Sequence, residues 1–451
     1  MRTEFFPGRS PRVLIVVQNL PVPLDRRVWL ECQALVQAGY TVSVICPKGP
    51  GDPAREVLDD VHLYKYAPPP AASGALGYLW EFLYCWLRTA WLSLRVRREV
   101  GFDVLQACNP PDTYFALAWL YRARGVRFVY DQHDLNPEVF LSRFGRPRGL
   151  VGRLQYRFLT TLERLTFATA DHVISTNESY RSVAMGRGHK APQDVTVVRS
   201  GPDTSVMRPG ERHPELRRGR AHLGVYLGIM GPQDGLDRLL RSWHHLVRDL
   251  GRTDCHLALL GFGDCLEDLK VQAHELGLDD YVTFTGRADR EMVARYLSTA
   301  DVGLCPDDKS PLNDVSTMNK TMEYMAYALP VVSYDLVETR VSAQDAAVYV
   351  DADDEVAFAR AVADLLDDVD RRVTLALRGR ERAQAELDWY PQAQAYVGVF
   401  DRVTGFRSRP LPPRRTASGA GPDEWGRTLV DVSDEQALAA FVRDGELASG
   451  R

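Results

Sequence analysis

Short apolar runs alternate with amphipathic segments over the first 200 residues of the chain. The run Arg12–Val17 predicts a buried strand, and Asp25 suits the N-cap of the helix that follows, with Gly39 near its end. Further strands are predicted at residues 41–46, 61–64, 103–106, 128–131, 172–176 and 195–198. Because helical segments separate most of these strands, the pattern predicts a mainly parallel sheet that is covered on both faces.

A second series of the same kind begins after residue 205. Its strands are predicted at residues 224–227, 256–260, 282–285, 301–304, 330–334 and 347–350, and its helices at residues 235–249, 265–275, 289–298, 319–327 and 356–368. Residues 200–221, rich in Gly, Pro and Arg, predict a linker. The fold class is therefore α/β, with two doubly wound domains whose ligands lie beyond the carboxyl ends of the strands.

Composition and charge narrow the class of protein. With 451 residues, 45% hydrophobic and 25% charged, the chain suits two globular domains and excludes a disordered protein. A net charge of −5 excludes a generally basic nucleic-acid binder, so no nucleic-acid partner is expected. Seven widely spaced cysteines without a C-x-x-C motif indicate neither a disulfide framework nor a zinc site. No secretory signal and no membrane span are predicted, so we expect a cytoplasmic location.

The densest polar region lies between a predicted strand and the helix that follows it. Ser316, Thr317 or Asn319 can cap this helix, whose N-terminus offers amide groups and a positive dipole end to an anion. Lys320 in the first turn opposes the helix dipole, so an anionic ligand explains its charge better than helix stability does. Glu323 can accept two hydrogen bonds from a vicinal diol such as ribose. The alternative is a solvated loop followed by a surface helix.

The run Asn319-Lys-Thr-Met-Glu-Tyr-Met-Ala, followed by Leu329-Pro-Val-Val, resembles the nucleotide-sugar segment of retaining glycosyltransferases of family 4, which have the GT-B fold. Segments that support the resemblance occur in the family's order at residues 227–237, 259–264, 284–287 and 298–301. The resemblance extends from about residue 12 to residue 404. It is specific for the family and the fold, and it does not specify the donor sugar.

The resemblance implies two Rossmann-like domains that face a central cleft. Residues 1–205 are expected to bind the acceptor, and residues 206–388 to bind the nucleotide-sugar. A helix at residues 389–404 is expected to return to the first domain. Residues 405–451, rich in Pro, Gly and Arg, predict a flexible tail, with a short helix predicted at residues 434–442.

The resemblance also implies roles for particular residues in the second domain. Gly228 and Gly231 match the glycine loop that approaches the donor phosphates. Gly286 and Arg287 match a loop near the nucleotide base, and Glu323 matches a glutamate that holds the ribose hydroxyls. The full set predicted to bind the donor is Gly228, Gly231, Gly286, Arg287, Asn313, Ser316, Thr317, Asn319, Lys320 and Glu323.

The sequence departs from the family at the phosphate-binding loop. The family's phosphate-binding Arg and Lys fall on Ile229 and Asp234, and its first glutamate falls on Val315, where Asp314 can substitute by a one-residue shift. We infer that Lys320, the helix N-terminus and Arg287 hold the diphosphate, as in an actinobacterial-type subfamily with an altered loop. The alternative is that the protein binds a different donor or none.

Polar residues also follow several strands of the first domain. His133 matches the family position that contacts the transferred sugar, and it is predicted to be catalytic together with Lys320 and Asp314. Acceptor binding is predicted for Asn19, Arg26, Arg27, Asn109, Asp134 and Glu138. A structural histidine, a rigid proline turn and surface ion pairs are the competing interpretations.

The resemblance implies a retaining hexosyltransferase, and we expect it to be metal-independent. It moves a hexose-type sugar from a nucleotide-sugar, with a UDP-sugar favoured, to a hydroxyl acceptor that is a polysaccharide, a lipid-linked glycan or a natural product. No cofactor other than this co-substrate is expected, because no D-x-D motif is placed to hold Mg²⁺ against a diphosphate. The alternatives are a GT-B sugar-nucleotide epimerase or hydrolase, and a non-catalytic GT-B partner protein.

The segment 79–98 is both aromatic and basic. It can lie in a membrane interface, which would place the protein peripherally at the inner face of the cell membrane and bring a lipid-linked acceptor close. It can also be a core helix of the first domain. We favour the core interpretation, because a covered sheet requires apolar helices.

Overall fold

The computed structural model describes residues 9–69, 74–413, 419 and 421–447. Two compact units divide the chain. The first unit consists of the described residues up to Ser200 together with Tyr390–Pro413. The second unit consists of Gly201–Trp389 and the described residues after 414. The division at Ser200 lies a few residues before the boundary that the sequence predicts.

The first unit is built on an eight-stranded sheet. Its strands are β1 (Arg12–Val16), β2 (Thr41–Pro47), β3 (Arg55–Leu58), β4 (Val61–Tyr66), β5 (Val104–Cys108), β6 (Arg127–Gln132), β7 (His172–Ser175) and β8 (Val195–Val197). Its helices before residue 200 are α1 (Arg26–Gln37), α2 (Gly74–Glu99), α3 (Phe115–Arg122), α4 (Asn136–Phe144), α5 (Gly149–Thr169) and α6 (Glu178–Gly186). The apolar runs of the sequence thus become the strands.

The strand order of this sheet is β3-β4-β2-β1-β5-β6-β7-β8. Every adjacent pair is parallel except β3 with β4. β1 lies between β2 and β5, so the order along the chain reverses there. In doubly wound sheets a ligand crevice opens beyond the carboxyl ends of the strands at such a reversal. Asn19 and Asn109 follow these two strand ends.

The second unit is built on a six-stranded parallel sheet. Its strands are β9 (His222–Leu227), β10 (Cys255–Leu260), β11 (Val282–Gly286), β12 (Val302–Cys305), β13 (Val331–Tyr334) and β14 (Ala347–Val350). Its helices up to residue 382 are α7 (Leu236–His244), α8 (Leu266–Glu275), α9 (Arg290–Thr299), α10 (Asn319–Ala326), α11 (Val337–Ala343), α12 (Glu355–Asp367) and α13 (Val369–Arg382). The order β11-β10-β9-β12-β13-β14 reverses between β9 and β12, which places the expected crevice after Leu227 and Cys305. The predicted doubly wound α/β fold is confirmed.

Two helices end the described chain, α14 (Trp389–Thr404) and α15 (Glu435–Leu447). From Tyr390 onward, α14 belongs to the first unit. Its Tyr396 hydroxyl donates to Gln106 Oε1 at 2.6 Å, and its Phe400 ring lies edge-on to Tyr40. The returning helix is therefore anchored in the first unit by one buried hydrogen bond and by aromatic packing.

Within the predicted tail, α15 confirms the short helix that the sequence predicts at residues 434–442. Leu438 and Val442, one turn apart on α15, are buried against Val373 and Ala376 of α13. The physical reason is the apolar face of α15, which an isolated helix would leave exposed to water. Residues 405–413 belong to the first unit, and the prediction for residues 414–418, 420 and 448–451 lies outside the described residues.

Helix α2 has two different faces. Cys85, Thr89 and Val96 are buried against the sheet side of the first unit, whereas Leu87 and Trp91 are about half exposed. The core interpretation of segment 79–98 therefore holds for one face only. Among the described residues, no helix is long and apolar enough to cross a membrane.

Candidate active site

The loop after β9 is packed closely against the side chains beneath it. A Cβ atom on Gly228 would lie 2.9 Å from the Tyr226 hydroxyl and 3.4 Å from Lys320 Cε. The Gly228 amide donates to Leu260 O at 3.0 Å, and the Tyr226 hydroxyl donates to Ile229 O at 2.6 Å. Glycine is required at position 228 because the loop passes directly over Tyr226 and Lys320.

Lys320 is buried below this loop and already has a partner. Its Nζ lies 2.5 Å from Asp307 Oδ1 and 5.0 Å from the Tyr226 ring centre. Burial opposes the charge, but Asp307 and Asp234 outweigh it and raise the pKa of Lys320 above its ordinary value. Asp307, buried after β12, is a second explanation for this charge, because it neutralises Lys320 inside the protein. Donor binding by Lys320 stays a prediction.

Asp234 stands where the family carries a lysine, and its carboxylate turns inward. Its Oδ2 accepts a hydrogen bond from the Gly231 amide at 2.9 Å. Burial raises the pKa of Asp234 to about 6, although Lys320 acts in the opposite direction. Lys320 is therefore flanked by two carboxylates, so these three side chains carry no net positive charge at neutral pH.

The N-terminus of α10 differs from its predicted form. Met318 occupies the N-cap and makes no side-chain hydrogen bond, so the prediction of a Ser316, Thr317 or Asn319 cap is wrong. The reason is the preceding 3-10 turn at Asn313–Val315: the Ser316 hydroxyl donates back to Leu312 O at 2.7 Å. Asn319 is exposed as the first helical residue, and Thr317 is half-buried. The first turn thus has no side-chain acceptor at its N-cap.

Asn313 and Asp314 hold loops together. The buried Asn313 amide donates to Gln233 O and to Asp308 O, both at 2.8 Å. It therefore joins this loop to the one after β9, and donor binding by Asn313 stays a prediction. Asp314 Oδ1 accepts from the Val337 amide at 3.3 Å, so this carboxylate oxygen is engaged at the start of α11.

The remaining donor candidates lie near the ends of other elements. Gly286 ends β11 with φ +68°, a conformation that favours glycine, and its carbonyl accepts from the Gly261 amide at 3.0 Å. Arg287 is exposed, and its guanidinium carbon lies 5.7 Å from the centre of the Phe262 ring. Glu323 is half-buried on α10. Their roles in donor binding remain predictions.

In the first unit, a buried charge cluster surrounds Arg27. Its Nη2 lies 3.0 Å from Asp131 Oδ1 and its Nε lies 3.0 Å from Glu31 Oε1. Its Nη1 donates to Val198 O at 2.9 Å and to Ser200 Oγ at 3.0 Å. All three nitrogens of Arg27 are therefore committed inside the fold, which indicates a structural role, and acceptor binding by Arg27 stays a prediction.

His133 is held by this cluster. Its Nε2 lies 2.8 Å from Asp131 Oδ2, and 18% of its side chain is exposed. Burial lowers the pKa of His133, but Asp131 outweighs burial and the net shift is upward. Burial and the Asp131 charge raise the pKa of Glu31 to about 8. The imidazole is therefore fixed in orientation, with one edge open.

Asn109 fixes the backbone that carries His133. Its Oδ1 accepts from the amides of His133 and Asp134 at 2.6 and 3.1 Å. Its Nδ2 donates to Asp112 Oδ1 at 3.1 Å and to Asp134 O at 2.7 Å. The Asn109 amide is buried and both of its N–H groups donate within the protein, which indicates a structural role, and acceptor binding by Asn109 stays a prediction.

Glu138 is likewise committed to the fold. Its two oxygens accept from Arg187 at 2.6 and 3.0 Å, and Arg187 also donates to the buried Glu163 at 2.7 Å. The bidentate pair with Arg187 indicates a structural role for Glu138, and its role in acceptor binding stays a prediction.

The other three acceptor candidates, Asn19, Arg26 and Asp134, are exposed or half-buried. Asn19 is exposed after β1, and Arg26 is half-buried at the first position of α1. Asp134 is half-buried, and among the described residues its carboxylate has no hydrogen bond and no ion pair. Burial raises the pKa of Asp134, against the smaller effects of His133 and Arg143. Asp134 is therefore a carboxylate beside His133 that the fold does not use.

A metal does not fit the cluster, although three residues there have ligand-type atoms close together. One ligand-type atom each from Cys108, Asp131 and His133 lies within 4.8 Å of the others. The Arg27 guanidinium already occupies the cation position, 3.0 Å from Asp131 and 3.1 Å from His133 Nε2.

Sequence reasoning missed the partners of the residues that it selected. Asp307 lies two residues after the end of β12, and Asp131 is the next-to-last residue of β6, two residues before His133. An acidic residue near the end of a strand is the sequence signal that could have identified each of these two partners. Glu31 gave no such signal, because it lies inside α1.

Models of two protein families match the chain. One, described as Glycosyltransferase Family 4, matches residues 24–206, and the other, described as Glycosyl transferases group 1, matches residues 221–368. Together they cover most of both units.

Relatives and solved structures agree with these matches. The alpha-maltose-1-phosphate synthase of Mycolicibacterium smegmatis is 28% identical over 62% of this chain and 74% of its own length. A GDP-mannose-dependent alpha-(1-6)-phosphatidylinositol monomannoside mannosyltransferase of Mycobacterium tuberculosis is 32% identical over 48% of this chain and 58% of its own. Sucrose-phosphate synthase of Thermosynechococcus elongatus superposes with a TM-score of 0.70 at 18% identity, covering 88% of this chain and 100% of that one. The chain belongs to glycosyltransferase family 4 and is a glycosyltransferase with the GT-B fold.

Proposed function

We propose that this glycosyltransferase moves a hexosyl group from a nucleotide-sugar to an acceptor hydroxyl, with retention and without a metal ion. The observation that carries the proposal is that a glycine loop, a lysine and a helix N-terminus lie together where the strand order reverses between β9 and β12. There, the close-packed Gly228 loop covers Lys320, and Lys320 lies in the first turn of a helix without a side-chain cap. Such a helix end supplies amide donors and a positive dipole end for a diphosphate.

The leaving diphosphate is stabilised mainly by backbone in this proposal. Asp307 and Asp234 already offset the Lys320 charge, so the α10 amides and the glycine loop provide the main attraction for the diphosphate. Preorganised amide donors stabilise developing negative charge without reorganisation. With no carboxylate nucleophile assigned, attack on the same face as the leaving group gives retention, and the leaving phosphate takes the acceptor proton.

The donor is tested by binding. Thermal shift and calorimetry with UDP-, GDP- and dTDP-sugars identify the base. UDP is our first expectation, and GDP is the alternative because one relative is named as GDP-mannose-dependent. Lys320→Ala and Glu323→Ala should each weaken binding by about tenfold or more. Lys270→Ala and Glu267→Ala, at an exposed pair on α8, are the matched controls. Stabilisation by none of the nucleotides would contradict the proposal.

Turnover separates transfer from the alternatives. Release of nucleotide that requires an acceptor supports transfer, whereas equal release without one indicates a hydrolase, and isomerised donor indicates an epimerase. The anomeric coupling of the product measured by NMR tests retention. Activity that persists in EDTA supports metal independence, and activity restored only by Mg²⁺ would contradict it.

We also propose that the first unit associates peripherally with a membrane, at the inner face of the cell membrane. Large apolar side chains of α2 and α5 are exposed: Trp80, Leu87, Trp91, Leu94, Leu150, Leu154 and Phe158. Exposed apolar surface of this extent is uncommon on soluble monomers. The basic residues of the same helices, Arg88, Arg95, Arg98, Arg153 and Arg157, suit anionic headgroups.

A further inference from the structure

An apolar cavity of about 610 Å³ lies within the first unit. Its walls come from α2, α3, α4, α5 and the loop after β5. Residues that line it include Phe82, Trp86, Phe115, Ala116, Val139, Phe140, Phe144, Phe158 and Leu162. This volume is in the range of roughly 300–1,000 Å³ that small-molecule sites occupy, and the donor site does not use it.

One wall of the cavity is linked directly to the segment that carries His133. Asp112 and Asn136 line it, and the Asn136 amide donates to Asp112 Oδ2 at 2.6 Å. Asp112 Oδ1 accepts from Asn109, the residue that binds the amides of His133 and Asp134. Asn109 therefore connects Asp112 in the cavity wall to Asp134, the carboxylate that is a candidate for acceptor binding.

Arg143 is the one cation among the residues that line the cavity. It is exposed, and within the described part of the chain it forms no hydrogen bond and no ion pair. The other polar lining residues are Asp112 and Asn136, which bond each other, and Thr113. A free guanidinium at an apolar wall matches a phosphate that is attached to a hydrocarbon.

The cavity opens through apolar residues. Phe82, Leu83, Phe144 and Phe158 line it and are also exposed, with 73% of Phe144 accessible. Phe82, Leu83 and Phe158 lie on α2 and α5, which also carry the exposed Leu87 and Leu154. A hydrocarbon chain can therefore enter from the apolar face without crossing a polar rim.

We propose that this cavity holds the hydrocarbon chain of a lipid phosphate acceptor, with Arg143 on its phosphate and its sugar-accepting end toward Asp134 and His133. This inference deepens the proposed function and rests on it, because it names the acceptor class of the same transferase. Charge complementarity at Arg143 and the apolar opening both favour a lipid phosphate over a neutral polysaccharide.

The test is calorimetric binding to the full-length protein, below the micellar concentration. The probes are farnesyl phosphate and dodecyl phosphate, with inorganic phosphate and dodecanol in parallel. We expect a lipid phosphate to bind at least about tenfold more tightly than dodecanol, and inorganic phosphate alone not to saturate. Preference for farnesyl or for dodecyl phosphate assigns an isoprenoid or a straight chain. Failure of both lipid phosphates to bind would overturn the proposal, as would dodecanol binding equally well.

Two variants locate the site. Ala116→Phe fills the cavity and should weaken lipid phosphate binding about tenfold, while Val271→Phe on exposed α8 should leave it unchanged. Arg143→Gln should remove the advantage of dodecyl phosphate over dodecanol, with Arg290→Gln as its control. Unchanged binding in both cavity variants would overturn the location. Lipid binding does not require the donor. If the protein binds nucleotide but no lipid phosphate, only this inference is refuted. If it binds no nucleotide, the proposed function is refuted.

Discussion

The ammonium of Lys320 lies 2.5 Å from the carboxylate of Asp307, with both side chains buried below the glycine loop. A buried pair of this kind is costly to break, because the remaining charge has no solvent. The same pair reduces the attraction of the site for an anionic donor. The Lys320–Asp307 pair is therefore expected to raise the stability of the fold and to lower the affinity of the site for a phosphate.

Replacing Asp307 by Asn should separate these two effects. The free energy of unfolding should fall by about 3–5 kcal/mol, because Lys320 loses its close partner. A nucleoside diphosphate should then stabilise the variant more than the wild type, because the anion takes the place of the lost carboxylate. Chemical denaturation with and without nucleotide measures both. The double variant Asp307→Asn, Lys320→Met should regain stability but lose the nucleotide effect, and a smaller nucleotide shift in Asp307→Asn would refute this account.

Glu31 makes stability depend on pH. Burial and Asp131 raise its pKa from an ordinary 4.5 to about 8. Between these values the folded state holds a proton that the unfolded state has released, so the free energy of unfolding falls as the pH rises from about 4.5 to about 8. Glu31→Gln should remove up to about 1.4 kcal/mol per pH unit of that decline. Denaturation from pH 5 to 9 measures it, with Glu267→Gln as control, and an unchanged slope would contradict the prediction.

Asp134 should matter for transfer and not for donor binding. It lies beside His133 and the described contacts leave its carboxylate unused, so Asp134→Asn removes a group that an acceptor hydroxyl can reach. We expect transfer to fall by about a hundredfold while the dissociation constant of the nucleotide stays the same. Glu138→Gln is the matched control, because Glu138 is bound to Arg187 and its loss should affect stability instead. Equal activities of the two variants would exclude Asp134 from the reaction.

The sequence predicted the strands and the site loops because those features are local. Apolar periodicity located β1 and β9, and Asp25 caps α1 as expected, accepting from the Val28 amide at 3.1 Å. The pairing of Lys320 with Asp307 and of Glu138 with Arg187 was not predictable. These partners are distant in sequence or belong to different elements, and only the folded sheet brings them together.

Association with vesicles should depend on the exposed side chains of α2 and α5. Trp80→Ser, Trp91→Ser and Leu154→Ser remove apolar surface without touching the buried face that holds Cys85 and Thr89.

Sedimentation with vesicles of phosphatidylglycerol and phosphatidylcholine should be lost in the triple variant and weakened by salt, because basic residues supply the second attraction. Val271→Ser with Val337→Ser, both exposed in the second unit, should sediment like the wild type.

The packing of α15 against α13 predicts that a substitution in α15 lowers the stability of the protein without affecting the candidate donor site. Leu438 of α15 is 2% exposed and packs against the cluster that includes Val373 and Ala376 of α13. Leu438→Ala should lower the free energy of unfolding by about 2–5 kcal/mol, because it removes buried methyl groups and leaves a cavity. Gln436→Ala, at an exposed position of the same helix, should change it by less than about 0.5 kcal/mol. Denaturant titration compares the two, and equal midpoints would mean that α15 contributes nothing to the second unit. A loss confined to Leu438→Ala, with nucleotide affinity unchanged, would place the tail in the fold and outside the reaction.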